Sequence, residues 1–326
     1  MKPRTQPDRR CSYVVAIERS GGAADDLAPF AQYLSNLGVN GCEVIVVDGS
    51  PREQFEANRS FLCWVARHVA PRVQHRHACG IDPVQAAIDF AAQEKVIVAD
   101  EAVRYGAGDV DQICDLLELH EVVVPQDYLD PLPWWGGIEA GRILVHRGIE
   151  PTGDGGTFGI RRSAVRGLRS LELSMEEPEE PLRRLGMRGA EVFSAHDVFV
   201  RREPPLLDDW LRSRSRSADA ELAMPMRSAI FFALIPMALL LAIIGGLDLA
   251  GGYASAIGLA SLVLAIRGRS GAGAFFPLRA CLYAPVWVLE RSISVYWALI
   301  RKLRPANPVP GPALPAEGSR RVASGE

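Results

Sequence analysis

The apolar positions of the chain fall in short unbroken runs separated by longer amphipathic stretches. The clearest run, residues 96–99 (VIVA), stops at two carboxylates, Asp100 and Glu101. A run with no polar alternation fits a strand buried on both faces of a parallel sheet. Residues 13–17 and 43–47 read the same way, and the second ends in Asp48-Gly49-Ser50-Pro51. Between them, residues 25–37 place Leu27, Phe30, Leu34 and Leu37 on one helical face. Residues 54–70, 83–93 and 110–119 are further helices, and 121–124 a further strand. Strands alternating with helices predict an α/β fold on a doubly wound, mostly parallel sheet. Ligands of such sheets bind at the carboxyl ends of the strands, so Asp48, Asp100 and Glu101 belong on the rim of a cleft.

The middle third is less regular. Residues 126–137 are rich in Pro and Trp (DPLPWWGG), and 153–156 form a flexible loop before a short strand at 157–160. Pro178 and Pro181 confine a helix to residues 182–188. Residues 190–193 and 197–202 are short strands.

The hydropathy pattern then changes. Residues 228–247 carry no charge and are long enough to cross about 30 Å of hydrocarbon. Residues 249–266 are also uncharged, with only Asp248 between the two runs. Arg227, Arg267 and Arg269 flank the pair. The positive-inside rule puts these arginines and residues 1–226 in the cytoplasm, and Asp248 outside. A third apolar segment, 275–304, holds Arg279, Glu290 and Arg291. Charges at the bilayer centre cost about 2.5–3.5 kcal/mol each on insertion scales. With Trp287, Tyr296 and Trp297 it reads as a helix lying in the cytoplasmic interface, a third span being the alternative. The organisation expected is a polar tail at 1–11 with no signal peptide and an α/β domain at 12–210. A basic linker with Arg212, Arg214 and Arg216 follows at 211–227, then a membrane helical region at 228–304 and a disordered tail at 305–326.

Charge and cysteine usage narrow the chemistry. A net charge of −3 over 326 residues gives no general pull on nucleic acid. The six cysteines form no C-x-x-C pair, against zinc ribbons and thioredoxin chemistry, and reduced thiols facing the cytoplasm are expected. His75, His77 and Cys79 in HRHAC read as a solvated loop rather than a metal site. There is no G-x-G-x-x-G after the first strand, no Walker A sequence and no G-x-S-x-G elbow.

The order of the remaining elements is more specific. VVDGS, ADEAVRY, VVPQDYLDPLPWWGGIEAGRILVHRG, GGTFGIRRSAV and MEEPEEPLRRLGMRG follow one another over most of residues 12–300. This series resembles the family 2 glycosyltransferases of the GT-A fold, in a membrane-associated bacterial form with a degenerate D-x-D. The resemblance implies a nucleotide-sugar donor held by Asp48, Gly49, Ser50, Asp100, Glu101 and Arg104. It implies a divalent metal, Mn or Mg, at Asp100 and Glu101, and an acceptor side at Trp134, Trp135, Gly156 and Thr157. Glu176 stands where the family has its general base, which takes the proton of the acceptor hydroxyl. Two departures matter. Ala102 replaces the last acid of D-x-D and cannot bind a cation, and no Q-x-x-R-W element follows, so single-sugar transfer is expected rather than polymer synthesis. The membrane region implies a lipid or lipid-linked acceptor and a place at the inner (cytoplasmic) membrane. Two other readings stay open: a non-catalytic relative that binds nucleotide or a partner, motivated by Ala102, and a nucleotidyltransferase with a similar acidic-ended sheet.

Overall fold

The structure is a computed structural model that describes residues 11–17, 27–68, 73–77, 83–149, 157–165, 182, 185–212, 214 and 225–303. Strands and helices alternate through the first half, with β3 the one element the pattern did not predict: β1 (Cys11–Ile17), α1 (Ala28–Val39), β2 (Glu43–Asp48), α2 (Arg52–His68), β3 (Val73–His77), α3 (Pro83–Phe90) and β4 (Lys95–Asp100). Then come β5 (Val103–Arg104), α4 (Ala107–Leu119), β6 (Val122–Leu129), α5 (Trp134–Ile149), β7 (Thr157–Arg161), α6 (Arg162–Val165) and β8 (Val192–Arg202). The last third is helical: α7 (Pro225–Arg269), α8 (Leu278–Cys281) and α9 (Ala284–Leu303).

One eight-stranded sheet runs β3-β2-β1-β4-β7-β6-β8-β5. Its β3-β2-β1-β4 half is parallel, as expected. In the other half β6 and β8 run the same way as β4, while β7 lies antiparallel between β4 and β6 and β5 is antiparallel to β8. The sheet is therefore mixed. Unbroken apolar runs mark strands covered on both faces, which they are, but carry no information on direction. Tyr13, Val15, Val44, Val46, Ile97 and Ala99 face a core with α1 and α4. Val14, Ile45, Val47, Val96 and Val98 face a second core with α3.

Four local expectations are also corrected. Residues 75–77 are strand, not loop. β6 continues past the expected end at residue 124 to Leu129, through residues that read as irregular, because Gln126 and Asp127 are buried there as polar side chains with partners. The two short strands expected around residue 195 are the single β8. Its register slips opposite Pro125, which has no N–H to give to the ladder. The Trp- and Gly-rich stretch from Trp134 is the helix α5.

In α7, Gly245 (φ −126°, ψ 15°) and Gly246 (φ 71°, ψ −173°) leave helical geometry next to Asp248. Only glycine takes the second conformation without strain. The ring centroids of Phe231 and His146 lie 5.6 and 5.4 Å from that of Trp287, while a Cβ on Gly148 would stand 2.1 Å from the carbonyl oxygen of Leu264. On a straight helix Phe231 and Leu264 would be about 50 Å apart. Both instead end near residues 146–148 of α5, Phe231 through Trp287 and Leu264 directly, so the arms fold back at the glycine pair. Ser228–Arg269 is long and apolar enough to cross a membrane, and Ile243, Ile244 and Leu247 are exposed around the bend.

Candidate functional site

β2, β4, β6 and β8 all run in one direction, so Asp48, Asp100, Asp127 and Arg202 meet at the same edge of the sheet. Each closes or nearly closes its strand. Two clusters result.

The first surrounds Asp48, whose side chain is fully buried. The Ser50 backbone N–H donates to Oδ1 at 2.9 Å, while Asn58 Nδ2 and His75 Nε2 donate to Oδ2 at 3.0 Å each. Burial alone pushes the carboxyl pKa up. The hydrogen bonds from His75, Ser50 and Asn58 outweigh it and hold the group at about 2. Gly49 N–H donates to the carbonyl of Ile17 at 2.9 Å, and His77 Nε2 donates to the carbonyl of Ser50 at 3.2 Å. The Phe55 ring packs on both histidines, at 4.7 Å from His75 and 4.3 Å from His77. The D-G-S turn is thus tied to β1 on one side and β3 on the other.

The second cluster is ionic. Arg202 Nη2 lies 2.6 Å from Asp100 Oδ2, and its Nη1 lies 3.2 Å from Asp127 Oδ2. The other Asp100 oxygen accepts the Ala102 backbone N–H at 2.8 Å, so the chain turns directly after β4. Asp100 and Asp127 raise the Arg202 pKa above its ordinary value, against the effect of burial. Arg104 is anchored beside this turn. It pairs with Glu203 at 2.7 Å, donates to the carbonyls of Glu101 and Val103, and lies over the rings of Phe30 and Tyr33.

The donor set bears on the metal that the resemblance implies. Both Asp100 oxygens are engaged within the chain, Ala102 offers none, and among the described residues no three His, Cys, Asp or Glu side chains are grouped to hold a metal ion. The described residues do not fit a divalent cation at Asp100 and Glu101.

The acceptor-side residues divide. Trp134 is exposed at the start of α5, and Trp135 Nε1 donates to the carbonyl of Pro205 at 3.3 Å. Thr157 is buried, donating to the Val98 carbonyl at 2.7 Å and accepting from Tyr105 Oη at 2.8 Å. Gly156 and Glu176 lie outside the described residues.

Behind the tryptophans, α5 carries charges into the junction with the apolar helices. Glu139 pairs with Arg142 at 2.6 Å and with Arg214 at 2.7 Å, and Arg214 comes within 3.8 Å of Glu290 on α9. Burial raises the Glu139 pKa, but the two arginines override it and hold the carboxyl well below the usual range. Arg147 donates to Gln126 at 2.9 Å and to the carbonyl of Gly268 at 3.0 Å, linking β6 to the end of α7.

Sequence reasoning singled out Asp48 and Asp100 but not His75, Asn58, Asp127 or Arg202. A signal for Arg202 exists. The apolar run Val198-Phe199-Val200 ends in Arg201-Arg202, the same pattern that marked Asp100, with the opposite charge.

No family model matches the chain, and neither does any curated protein sequence. Among solved structures, the mannosyltransferase PcManGT from Pyrobaculum calidifontis, in complex with GDP-mannose and Mn2+, superimposes with a TM-score of 0.50. The match covers 88% of this chain and 87% of that one at 15% identity. The chain shares the fold of that protein. In that fold the two clusters occupy the edge where the parallel strands end.

Proposed function

We propose that the chain is a membrane-attached glycosyltransferase that moves a single sugar from a nucleotide-sugar donor to a lipid or lipid-linked acceptor. The observation that carries this reading is the joining of two features. The acidic strand ends Asp48 and Asp100 lie at one sheet edge, and α5, which begins at that side with Trp134 and Trp135, packs its far end against the apolar hairpin. A cleft so placed opens near a bilayer, and the α/β domain then stands on the cytoplasmic side of the inner membrane.

In this reading the nucleotide lies along the β2 and β4 ends. Asp48 fixes the Gly49-Ser50 turn and supplies negative potential towards base and ribose. Asp100, Glu101 and Arg104 line the diphosphate side. Trp134, Trp135 and Gly156 form the acceptor side, and the buried Thr157 holds the start of β7 to Val98 and Tyr105. Glu176 takes the proton from the acceptor hydroxyl as it attacks the anomeric carbon, and the nucleoside diphosphate leaves. Attack opposite the leaving group inverts the anomeric centre, as the family resemblance implies.

The test is transfer from a panel of nucleotide sugars by the full chain in lipid nanodiscs supplied with isoprenoid phosphate and glycolipid acceptors. We expect release of nucleoside diphosphate with one donor, dependent on acceptor, and loss of that release in Glu176→Gln. Turnover of a sugar phosphate with a nucleoside triphosphate would instead identify a nucleotidyltransferase. Ala102 favours one further reading, a nucleotide-binding protein without catalysis, and donor binding with no turnover for any donor or acceptor would establish it.

A further inference from the structure

The residue between Asp100 and Asp127 is an arginine, Arg202. We propose that Arg202 is the built-in cation of the donor site, standing where the D-x-D resemblance puts a divalent metal, and that nucleoside diphosphates bind here without metal. The proposal rests on the sugar-transfer reading above for the identity of the ligand, but not for the geometry.

The guanidinium spans Asp100 on β4 and Asp127 on β6 at 2.6 and 3.2 Å, using the carboxylate oxygens that a metal would need. Asp127 is almost fully buried and Asp100 largely so, whereas Arg202 keeps about a third of its side chain exposed (32%). The arginine is therefore held from behind and open towards the rim. Its backbone is fixed as well: Arg202 pairs with Val103 of β5 and Leu129 of β6, and its carbonyl accepts the N–H of Asp130 at 3.1 Å. Admitting a metal would mean pulling the guanidinium from both carboxylates and breaking two charge-assisted hydrogen bonds. Ala102 fits the same picture. With the cation supplied by the chain, the third carboxylate of a metal site has no task.

Arginine suits the role because it stays charged at any working pH and has five N–H donors in a planar fork. Two of these face the aspartates, and others remain for phosphate oxygens arriving from the rim. The charge differs from that of a metal site. Two aspartates and one arginine sum to −1, whereas two aspartates with a divalent ion sum to 0. Arg202 thus acts through directed hydrogen bonds more than through net positive field, and the diphosphate affinity should be modest and independent of chelator.

The experiment uses the full chain in nanodiscs, with GDP and UDP as probes, their monophosphates as controls, and Mn2+ alone followed by electron paramagnetic resonance. In the unmutated chain one diphosphate should bind equally in EDTA and in Mn2+, and Mn2+ should not bind stoichiometrically with or without nucleotide. Arg202→Gln should weaken the diphosphate about tenfold or more in EDTA while changing the monophosphate much less. A merely structural role would weaken both alike. Arg202→Lys, which keeps the charge and loses the fork, should fall between and covers the case in which the glutamine variant does not fold. The double variant Ala102→Asp with Arg202→Gln should gain Mn2+ binding. Stoichiometric Mn2+ in the unmutated chain, or an unchanged diphosphate affinity in folded Arg202→Gln and Arg202→Lys, overturns the proposal. If the unmutated chain binds no nucleotide, the sugar-transfer reading and the nucleotide part of the proposal fail together. Mn2+ binding to the double variant but not to the unmutated chain would then still show that Arg202 holds the cation position.

Discussion

At the scale of single residues, Asp48 shows how a buried carboxylate is kept charged. Transfer out of water disfavours the anion, yet three donors from Ser50, Asn58 and His75 lower its pKa from an ordinary 3.8 to about 2. The folded state therefore binds this proton less readily than the unfolded chain. Its stabilising contribution is complete above the ordinary value and is lost as pH falls through about 2. The displacement corresponds to about 2 kcal/mol. We expect the melting temperature of the chain to drop between pH 4 and pH 2 by more than that of Asp48→Asn, which has no such proton to take up, and calorimetry of both across that window checks it. Parallel pH profiles would mean that the carboxylate is not held in this way. Asp48 was legible because it ends an apolar run. His75 was not, because in HRHAC two histidines flank an arginine and mimic a solvated loop. They face one way on β3, under Phe55, only once the strand is paired with β2.

At the scale of elements, α5 decides how the sheet meets the apolar helices. Gly137, Gly141 and Gly148 lie where another chain segment comes too close for a side chain. A Cβ at Gly137 would meet the Tyr283 ring at 2.6 Å, at Gly141 the Ala284 nitrogen at 2.9 Å, and at Gly148 the Leu264 carbonyl oxygen at 2.1 Å. Gly268 on α7 answers them, with the Leu144 carbonyl oxygen 1.9 Å from a Cβ there. Small residues at such contacts let helix backbones approach where lipid or apolar surface gives no other driving force. Overpacking a core typically costs about 1–3 kcal/mol, and backbone atoms yield less than side chains. Gly148→Ala should therefore lower the melting temperature in detergent and loosen the α5–α7 contact, whereas Gly251→Ala, with nothing within 4 Å, should be neutral or slightly stabilising. Equal melting temperatures for the two variants would remove the close contact. The same glycines hid α5 from the sequence, since WWGGIEAG reads as turn by propensity. Propensity is a weak prior that packing overrides, and the partner that overrides it lies more than a hundred residues away.

At the scale of the whole molecule, the change of composition near residue 225 was the most legible feature, because twenty uncharged residues need no partner to be recognised. What the sequence could not show is where the charges of the third segment turn. Arg291 is 2% exposed, and Glu290 faces Arg214 of the linker, while Leu289, Ile293 and Trp297 are exposed on the same helix. α9 therefore turns its charged side to the protein and leaves apolar side chains facing outward, as an interfacial helix would need. The hairpin gives the prediction that tests the whole arrangement. Gly245 and Gly246 break α7 into arms that end beside Asp248, and the arms return to α5, which is anchored to the sheet through Arg147. If the arms cross a bilayer, residue 248 must surface on the side opposite the α/β domain. A reporter fused after residue 226 should read cytoplasmic in cells. A cysteine in Asp248→Cys should react with a membrane-impermeant maleimide added from outside, above the background of the unmutated chain, in which Cys11, Cys42 and Cys281 are buried. The positive-inside bias of Arg227, Arg267 and Arg269 predicts this orientation over its reverse. Labelling of residue 248 only after the cells are opened would place both ends of the hairpin on one side, and the long apolar helix would then lie against the membrane or a partner rather than cross it.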